Sequence, residues 1–327
     1  MISMLAETSC GIFFGPDISR DKDWLRITVS YTSTFVKAAL QLHLWPRFLV
    51  PVVHWFLPEC RQTRKELREA REIFQDLLDA RARNVDAVKA DTGGSADLLT
   101  FLDETTKGIP YDATTFHLAM GVTAIHSTSD FLSKVIYNLC QHQDLLEPLR
   151  SEVSTMLKET GWSKSGLDSL KLMDSVMKET IRLSPFSHVS MRRVVTEDIT
   201  LPGPVELPKG AAVVVSATNA MWDEEIFPDP LTFDGYRFVK LAQSSKQWEK
   251  TSPFVAINPE NLGFGLGKDA CPGRFLVSTE VKITLCHILM QYDLKLAPGR
   301  RPSTIRMGLN MLVDPGTILV RKNAIAI

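Results

Sequence analysis

Cysteine 271 is the residue around which this chain could do chemistry. It lies in the stretch Phe264-Gly-Leu-Gly-Lys-Asp-Ala-Cys-Pro-Gly-Arg-Phe275. Gly265 and Gly267 precede it and permit backbone conformations that other residues resist, as a tight loop requires. Pro272 and the apolar periodicity after it predict a helix from about Pro272 to Tyr292, with Cys271 at its N-cap. There the free N–H groups and the positive end of the helix dipole stabilise a thiolate. Gly273 leaves room for something flat to approach the sulfur. A thiolate in an apolar loop, with the aromatic Phe264 ahead of it, suits a soft transition metal. The competing reading is a buried cysteine at a helix start. The other cysteines, at 10, 60, 140 and 286, form no C-x-x-C pair and read as reduced, buried thiols.

Three further groups stand out. Glu179 and Arg182 lie three apart near the end of a helix, an i, i+3 ion pair worth about 0.2–0.5 kcal/mol if exposed. Arg192 and Arg193 follow Phe186-Ser-His-Val-Ser-Met191 and read, on residues alone, as solvated charges ahead of a strand. Ala124-Ile-His-Ser-Thr-Ser129 is a polar cluster inside a long apolar helix, where unsatisfied hydroxyls cost free energy. Bonding of Ser and Thr to the preceding turn is the simplest way to satisfy them.

The elements that must position these residues are mostly helical. Short helices broken at Pro46, Pro51 and Pro58 are expected over 23–58, with the apolar stretch Leu44 to Leu57 packing in the core or, as the alternative, forming a surface patch against a membrane or a hydrophobic ligand. Arg61 to Lys89 reads as one amphipathic helix with a solvated face, and Asp91 to Ser95 as a loop. An apolar run from Ala113 to Gln143 predicts a central helix. Another helix restarts at Leu145 with Pro148 in its first turn. Leu172, Met173, Val176, Met177 and Thr180 form an i, i+4 stripe on a helix that stops at Ser184-Pro185. Ile199–Leu201 and Val205–Leu207, split by Pro202-Gly203-Pro204, read as a hairpin, and Ala211–Val215 as a further strand. Met311–Val313 and Thr317–Val320, flanking Asp314-Pro-Gly316, read as a closing hairpin. The expected organisation is one domain over residues 1–327, helical to about 185 and mixed with β-structure thereafter.

Composition bounds the function. Among 327 residues, 37 Lys and Arg oppose 38 Asp and Glu, 44 % are apolar and 23 % charged, as in a globular chain with a large core. A formal charge of −1 argues against a nucleic-acid-coating protein. No run of about 18 apolar residues predicts a membrane span, and the opening MISMLAETSC does not read as a signal peptide.

The pattern F-x-x-G-x-x-x-C-x-G at Phe264–Gly273 resembles the haem-binding loop of the cytochrome P-450 superfamily. The resemblance implies that Cys271 is the proximal ligand of haem iron, that Phe264 lies beneath the macrocycle and that Gly267 belongs to the same cofactor-binding loop. It makes Glu179 and Arg182 the family's E-x-x-R motif, completed by Arg237 of Phe233-Asp-Gly-Tyr-Arg-Phe238 in a buried structural network. It pairs Arg193 with a haem propionate and makes Thr128 the threonine that hydrogen-bonds dioxygen and helps deliver protons. Ile125 and Ser127 replace that helix's usual glycine and acid. Asp269 stands where the family has Arg or His, adding a negative charge that Arg193 or Lys268 would have to offset.

By the same resemblance the fold is the mainly α fold with small β-sheets of that family, lacking roughly its first third. The implied reaction is oxygenation of an apolar small molecule, with electrons from NADPH through a flavoprotein reductase. Wording around Phe233–Phe238 and Gly263–Phe275 is similar to fungal secondary-metabolism members and points to a terpenoid, indole-diterpenoid or polyketide substrate. A catalytically silent homologue, a haem-thiolate isomerase or dehydratase, and a non-enzymatic lipid-binding module stay open.

Overall fold

The computed structural model describes residues 2–83, 98–107, 109–203, 205–299, 304–307, 310–313 and 318–322. The loop expected at 91–95, residues 84–89 of the charged helix, Pro204 and the turn at 314–316 lie outside them. The chain resolves into two compact units, Met1–Ser129 and Asp130–Ile327.

The first unit is helical: α1 (Ile2–Ser19), α2 (Lys22–His43), the short α3 (Val50–Val53), α4 (Pro58–Arg83), α5 (Leu98–Thr106) and the first half of α6 (Ala113–Gln141). Asp21 caps α2 by accepting the Trp24 N–H at 2.7 Å. Trp24, Ile27 and Tyr31 of α2 then meet Ala70 and Phe74 of α4 and Leu118 of α6 in a shared core. Gly121 lets α6 approach α2 closely, since a Cβ there would fall 2.8 Å from Thr28 Cγ2.

The stretch from Leu44 to Leu57 departs from its expected place in the core. Leu44, Phe48 and Phe56 are 77 %, 78 % and 66 % exposed. Pro46 and Pro51 allow only the four-residue α3 between α2 and α4, too short to build one buried stripe. Arg61 and Arg64 donate to the Trp55 carbonyl, and Arg64 also to that of His54, which fixes this backbone against α4 with its rings outward. Among the described residues no helix is long and apolar enough to cross a membrane.

The second unit carries the end of α6, then α7 (Leu146–Glu159), α8 (Lys164–Ser169), α9 (Lys171–Leu183), α10 (Ala217–Met221), α11 (Arg237–Ser244), α12 (Lys246–Thr251) and α13 (Arg274–Gln291). Helix α9 ends at the expected Ser184, but it is more than amphipathic: Leu172 through Arg182 are all buried. Its charged residues must therefore find partners inside the protein.

Four small antiparallel pairs complete the unit: β1 (Val189–Val194) with β4 (Ala212–Ser216), β2 (Ile199–Thr200) with β3 (Glu206–Leu207), β5 (Tyr292–Leu296) with β8 (Ile318–Lys322), and β6 (Thr304–Met307) with β7 (Asn310–Val313). The hairpin at 199–207 forms as expected. The closing hairpin does not, because β7 pairs back onto β6 and β8 runs five residues in register with β5. Strand β5 leaves α13 directly, and the longer pairing it offers outcompetes the local one.

Candidate cofactor site

Cys271 sits just outside the helix that was expected to begin with it. The first turn of α13 is closed by Val277 N–H donating to Gly273 O at 2.9 Å, so Gly273 is the N-cap and Cys271 lies two residues before it. Pro272 fills the intervening position, where it donates no hydrogen bond. Arg274 secures the approach by donating from Nη1 to the Cys271 carbonyl at 2.7 Å.

The loop ahead of the cysteine is fixed by its backbone. Gly265 and Gly267 adopt φ of +74° and +73°, conformations that cost an L-residue about 1–2 kcal/mol. Between them and the cysteine runs a single 3₁₀ turn, Gly267–Asp269. Cys271 N–H then donates to Phe264 O at 2.8 Å and closes the loop. The Phe-to-Cys spacing in the sequence is thus the length of one hydrogen-bonded reversal.

This geometry fits a flat group on the sulfur. A Cβ at Gly273 would stand 3.8 Å from Cys271 Sγ, so the glycine keeps that flank clear. Cys271 is partly exposed and unpaired, whereas the other four cysteines are buried. Burial pushes the thiols of Cys10 and Cys286 up to about 12 and that of Cys140 up to about 11, and it raises Cys60 as well. Those four are held as neutral thiols, unsuited to a metal.

Phe264 leads an aromatic column. Its ring meets Phe254 edge-on at 5.1 Å, and Phe254 stacks on Phe131 of α6 at 5.1 Å and 12°. Neither Phe254 nor Phe131 carried a sequence signal, since both contacts join residues far apart in the chain.

Arg193 reaches the same loop. Met191 adopts φ +52°, and the β1–β4 register shifts between Ser190 and Arg193, the mark of a bulge that re-aims the strand. Arg193 Nη2 donates to Asp269 Oδ2 at 2.5 Å, with both side chains half exposed. The negative charge introduced by Asp269 is therefore met by Arg193, one of the two cations expected to offset it.

On α9, Glu179 receives Arg182 Nε and Nη2 at 2.7 and 2.8 Å, Arg237 Nε at 3.0 Å and the Asp234 N–H at 3.2 Å. Arg182 Nη1 is satisfied by the carbonyls of Met221 and Pro230. Arg237 takes those of Pro228, Asp229 and Thr232. All three charged side chains are buried, so this is a fully satisfied internal network, beyond the lone i, i+3 pair that spacing alone gives.

Thr128 belongs to the first unit. It is buried, and its hydroxyl has no hydrogen-bond partner, whereas Ser127 bonds back to Thr123 O at 2.7 Å. One nitrogen of His126 engages the Val29 backbone and Nε2 has no partner; burial lowers the pKa of this imidazole. The preceding turn thus explains Ser127 but leaves the Thr128 hydroxyl available to a ligand.

A family model described as Cytochrome P450 matches residues 1–321. The chain belongs to the cytochrome P450 family. It is 40 % identical over 317 residues to the cytochrome P450 monooxygenase adrA of Penicillium rubens, covering 96 % of this chain and 62 % of that protein. It is 42 % identical over 323 residues to the cytochrome P450 monooxygenase ntnM of Nectria sp., covering 98 % and 62 %. A third relative, the dideacetyl fusicoccin A C-19 hydroxylase of Phomopsis amygdali, is 38 % identical over 323 residues, covering 98 % of this chain and 60 % of its own. The chain thus spans about three fifths of the length of these relatives. Mainly helical architecture with small antiparallel sheets is the fold expected of a P450.

Proposed function

We propose that this chain carries the haem-thiolate site of a monooxygenase acting on an apolar small molecule of fungal secondary metabolism. The observation that carries the reading is the closed Phe264–Cys271 loop, which presents one unpaired sulfur beside a glycine-cleared flank. Cys271 Sγ would hold the iron, Phe264 would lie under the macrocycle, and Gly267 would shape the loop around it. Arg193 would turn from Asp269 toward a propionate, exchanging one carboxylate for another. When bound, the haem supplies dioxygen activation, with electrons from NADPH through a flavoprotein reductase. Thr128 Oγ1, by its match to the family's central-helix threonine, is the hydroxyl that holds and passes protons during that chemistry. The Glu179–Arg182–Arg237 network does not touch reactants; it keeps the segment 221–237 fixed against α9.

A relative named as a hydroxylase favours hydroxylation as the reaction, and a terpenoid, indole-diterpenoid or polyketide intermediate is the apolar substrate class proposed. A haem-thiolate isomerase or dehydratase is the second reading, favoured by Ser127, whose hydroxyl is bound to Thr123 O where the family carries an acid. Reconstitution with haem, reductase and NADPH separates the two. Monooxygenation predicts NADPH consumption matched by a product one oxygen heavier. A product isomeric with its substrate or one water lighter, formed without NADPH, would overturn it.

A further inference from the structure

Lys178 is a buried cation that the site described so far does not use. It precedes Glu179 on α9 but serves a different neighbour. Its Nζ donates to the carbonyls of Thr251, Pro253 at 2.9 Å and Ala256 at 2.8 Å. An ammonium has three protons, and all three are spent on this one turn. The side chain is 1 % exposed and lies 5.4 Å from the centre of the Phe238 ring. The acid whose charge reaches it, Asp174, is itself bound by Lys282 at 2.8 Å. Burial pushes the Lys178 pKa down to about 7, a sign of how much desolvation this placement costs. An apolar side chain of equal length would fill the space without that cost.

What the lysine gains is control of the turn at 251–256, and that turn carries Phe254. Phe254 is 1 % exposed and locked between Phe131 and Phe264, each with its centroid 5.1 Å away. The Phe264 carbonyl in turn accepts the Cys271 N–H. A continuous path of contacts, all inside the second unit, leads from the ammonium through Phe254 and Phe264 to the cysteine.

We propose that Lys178 is a positioning residue for Cys271: by clamping three carbonyls of residues 251–256 it seats Phe254 under Phe264 and so holds the cysteine loop in its closed form. The proposal rests on Cys271 being the haem ligand only for its spectroscopic consequence; the loop-holding itself can be read without haem.

The test compares the full chain with Lys178→Met, Phe254→Leu and the double variant. The first readout is the rate at which iodoacetamide labels Cys271 before haem is added, with the buried Cys286 as internal control. Loss of the clamp raises Cys271 labelling about tenfold while Cys286 stays unlabelled. Phe254→Leu keeps the lysine and gives a similar rise, and the double variant labels no faster than the faster single one, because both act along one path. The second readout is the reduced carbon monoxide complex after haem is added, where Lys178→Met converts a large share of the thiolate band to the blue-shifted band of a weakened ligand. Wild-type labelling in folded Lys178→Met, additive effects in the double variant, or Cys286 labelling together with Cys271 would each overturn the proposal. If Lys178→Met does not fold, wild-type labelling in Phe254→Leu overturns it on its own. A wild-type chain that takes up haem with no thiolate band would sink the ligand assignment instead, leaving the labelling comparison to judge Lys178.

Discussion

Replacing Glu179 by alanine isolates the energetic claim made for the buried network on α9. The carboxylate accepts three arginine N–H bonds and one backbone N–H, from Arg182, Arg237 and Asp234. After the change both guanidinium groups stay inside, because Arg182 is still tied to Met221 and Pro230 and Arg237 to Pro228, Asp229 and Thr232. Nε and Nη2 of Arg182 and Nε of Arg237 are left without an acceptor, and both guanidinium groups lose the carboxylate they share. Removing one partner from a buried pair costs about 3–5 kcal/mol. Native stability is typically about 5–15 kcal/mol, so Glu179→Ala should consume a large part of it. Urea unfolding followed by far-ultraviolet circular dichroism measures this as a lowered midpoint. Arg193→Ala is the control, since its pair with Asp269 is half exposed and worth about 0–1 kcal/mol. A Glu179→Ala chain within about 1 kcal/mol of wild type would refute the reasoning, because it would mean that water reaches both arginines.

The surface pair beside the loop predicts an effect of opposite sign. Asp269→Asn frees Arg193 for a haem propionate, so haem titration of the protein should give an affinity raised by up to about fivefold, the worth of one exposed pair; weaker binding would assign Asp269 a direct role. Brief iodoacetamide treatment of the native chain followed by peptide mass spectrometry should find one adduct, on Cys271. Burial raises the thiol pKa of Cys10, Cys60, Cys140 and Cys286 and hides them from the reagent, so early labelling at any of these would contradict the fold.

Local signals in the sequence located much of this. The glycines at 265 and 267 announced a loop that needs positive φ, and the structure uses both that way. The apolar stripe of α9 and its stop before Pro185 were legible because both follow from helix periodicity and proline geometry. The cap was misplaced by two residues because the proline-first rule does not say which residue before the helix donates the first carbonyl. Strand β1 was not anticipated: its burial does not alternate, and the bulge at Met191 breaks its period. The pairing of β7 with β6 and β8 with β5 was hidden for the same reason as Phe254 under Phe264, since each is settled by partners distant in sequence. Lys178 carries no signal of its own in the sequence, since a lysine on a helix is ordinarily solvated. Only the burial of every residue from Leu172 to Arg182 reveals that it had to find its partners indoors.

The ligand assignment at Cys271 is tested most directly by the difference spectrum of the reduced, haem-loaded chain on adding carbon monoxide, recorded beside Cys271→Ser. The account predicts the strongly red-shifted Soret band of a thiolate complex in the wild-type chain and its loss in the serine variant, with helical circular dichroism unchanged. A red-shifted band that survives Cys271→Ser would contradict it, because the iron would then be held by some other residue.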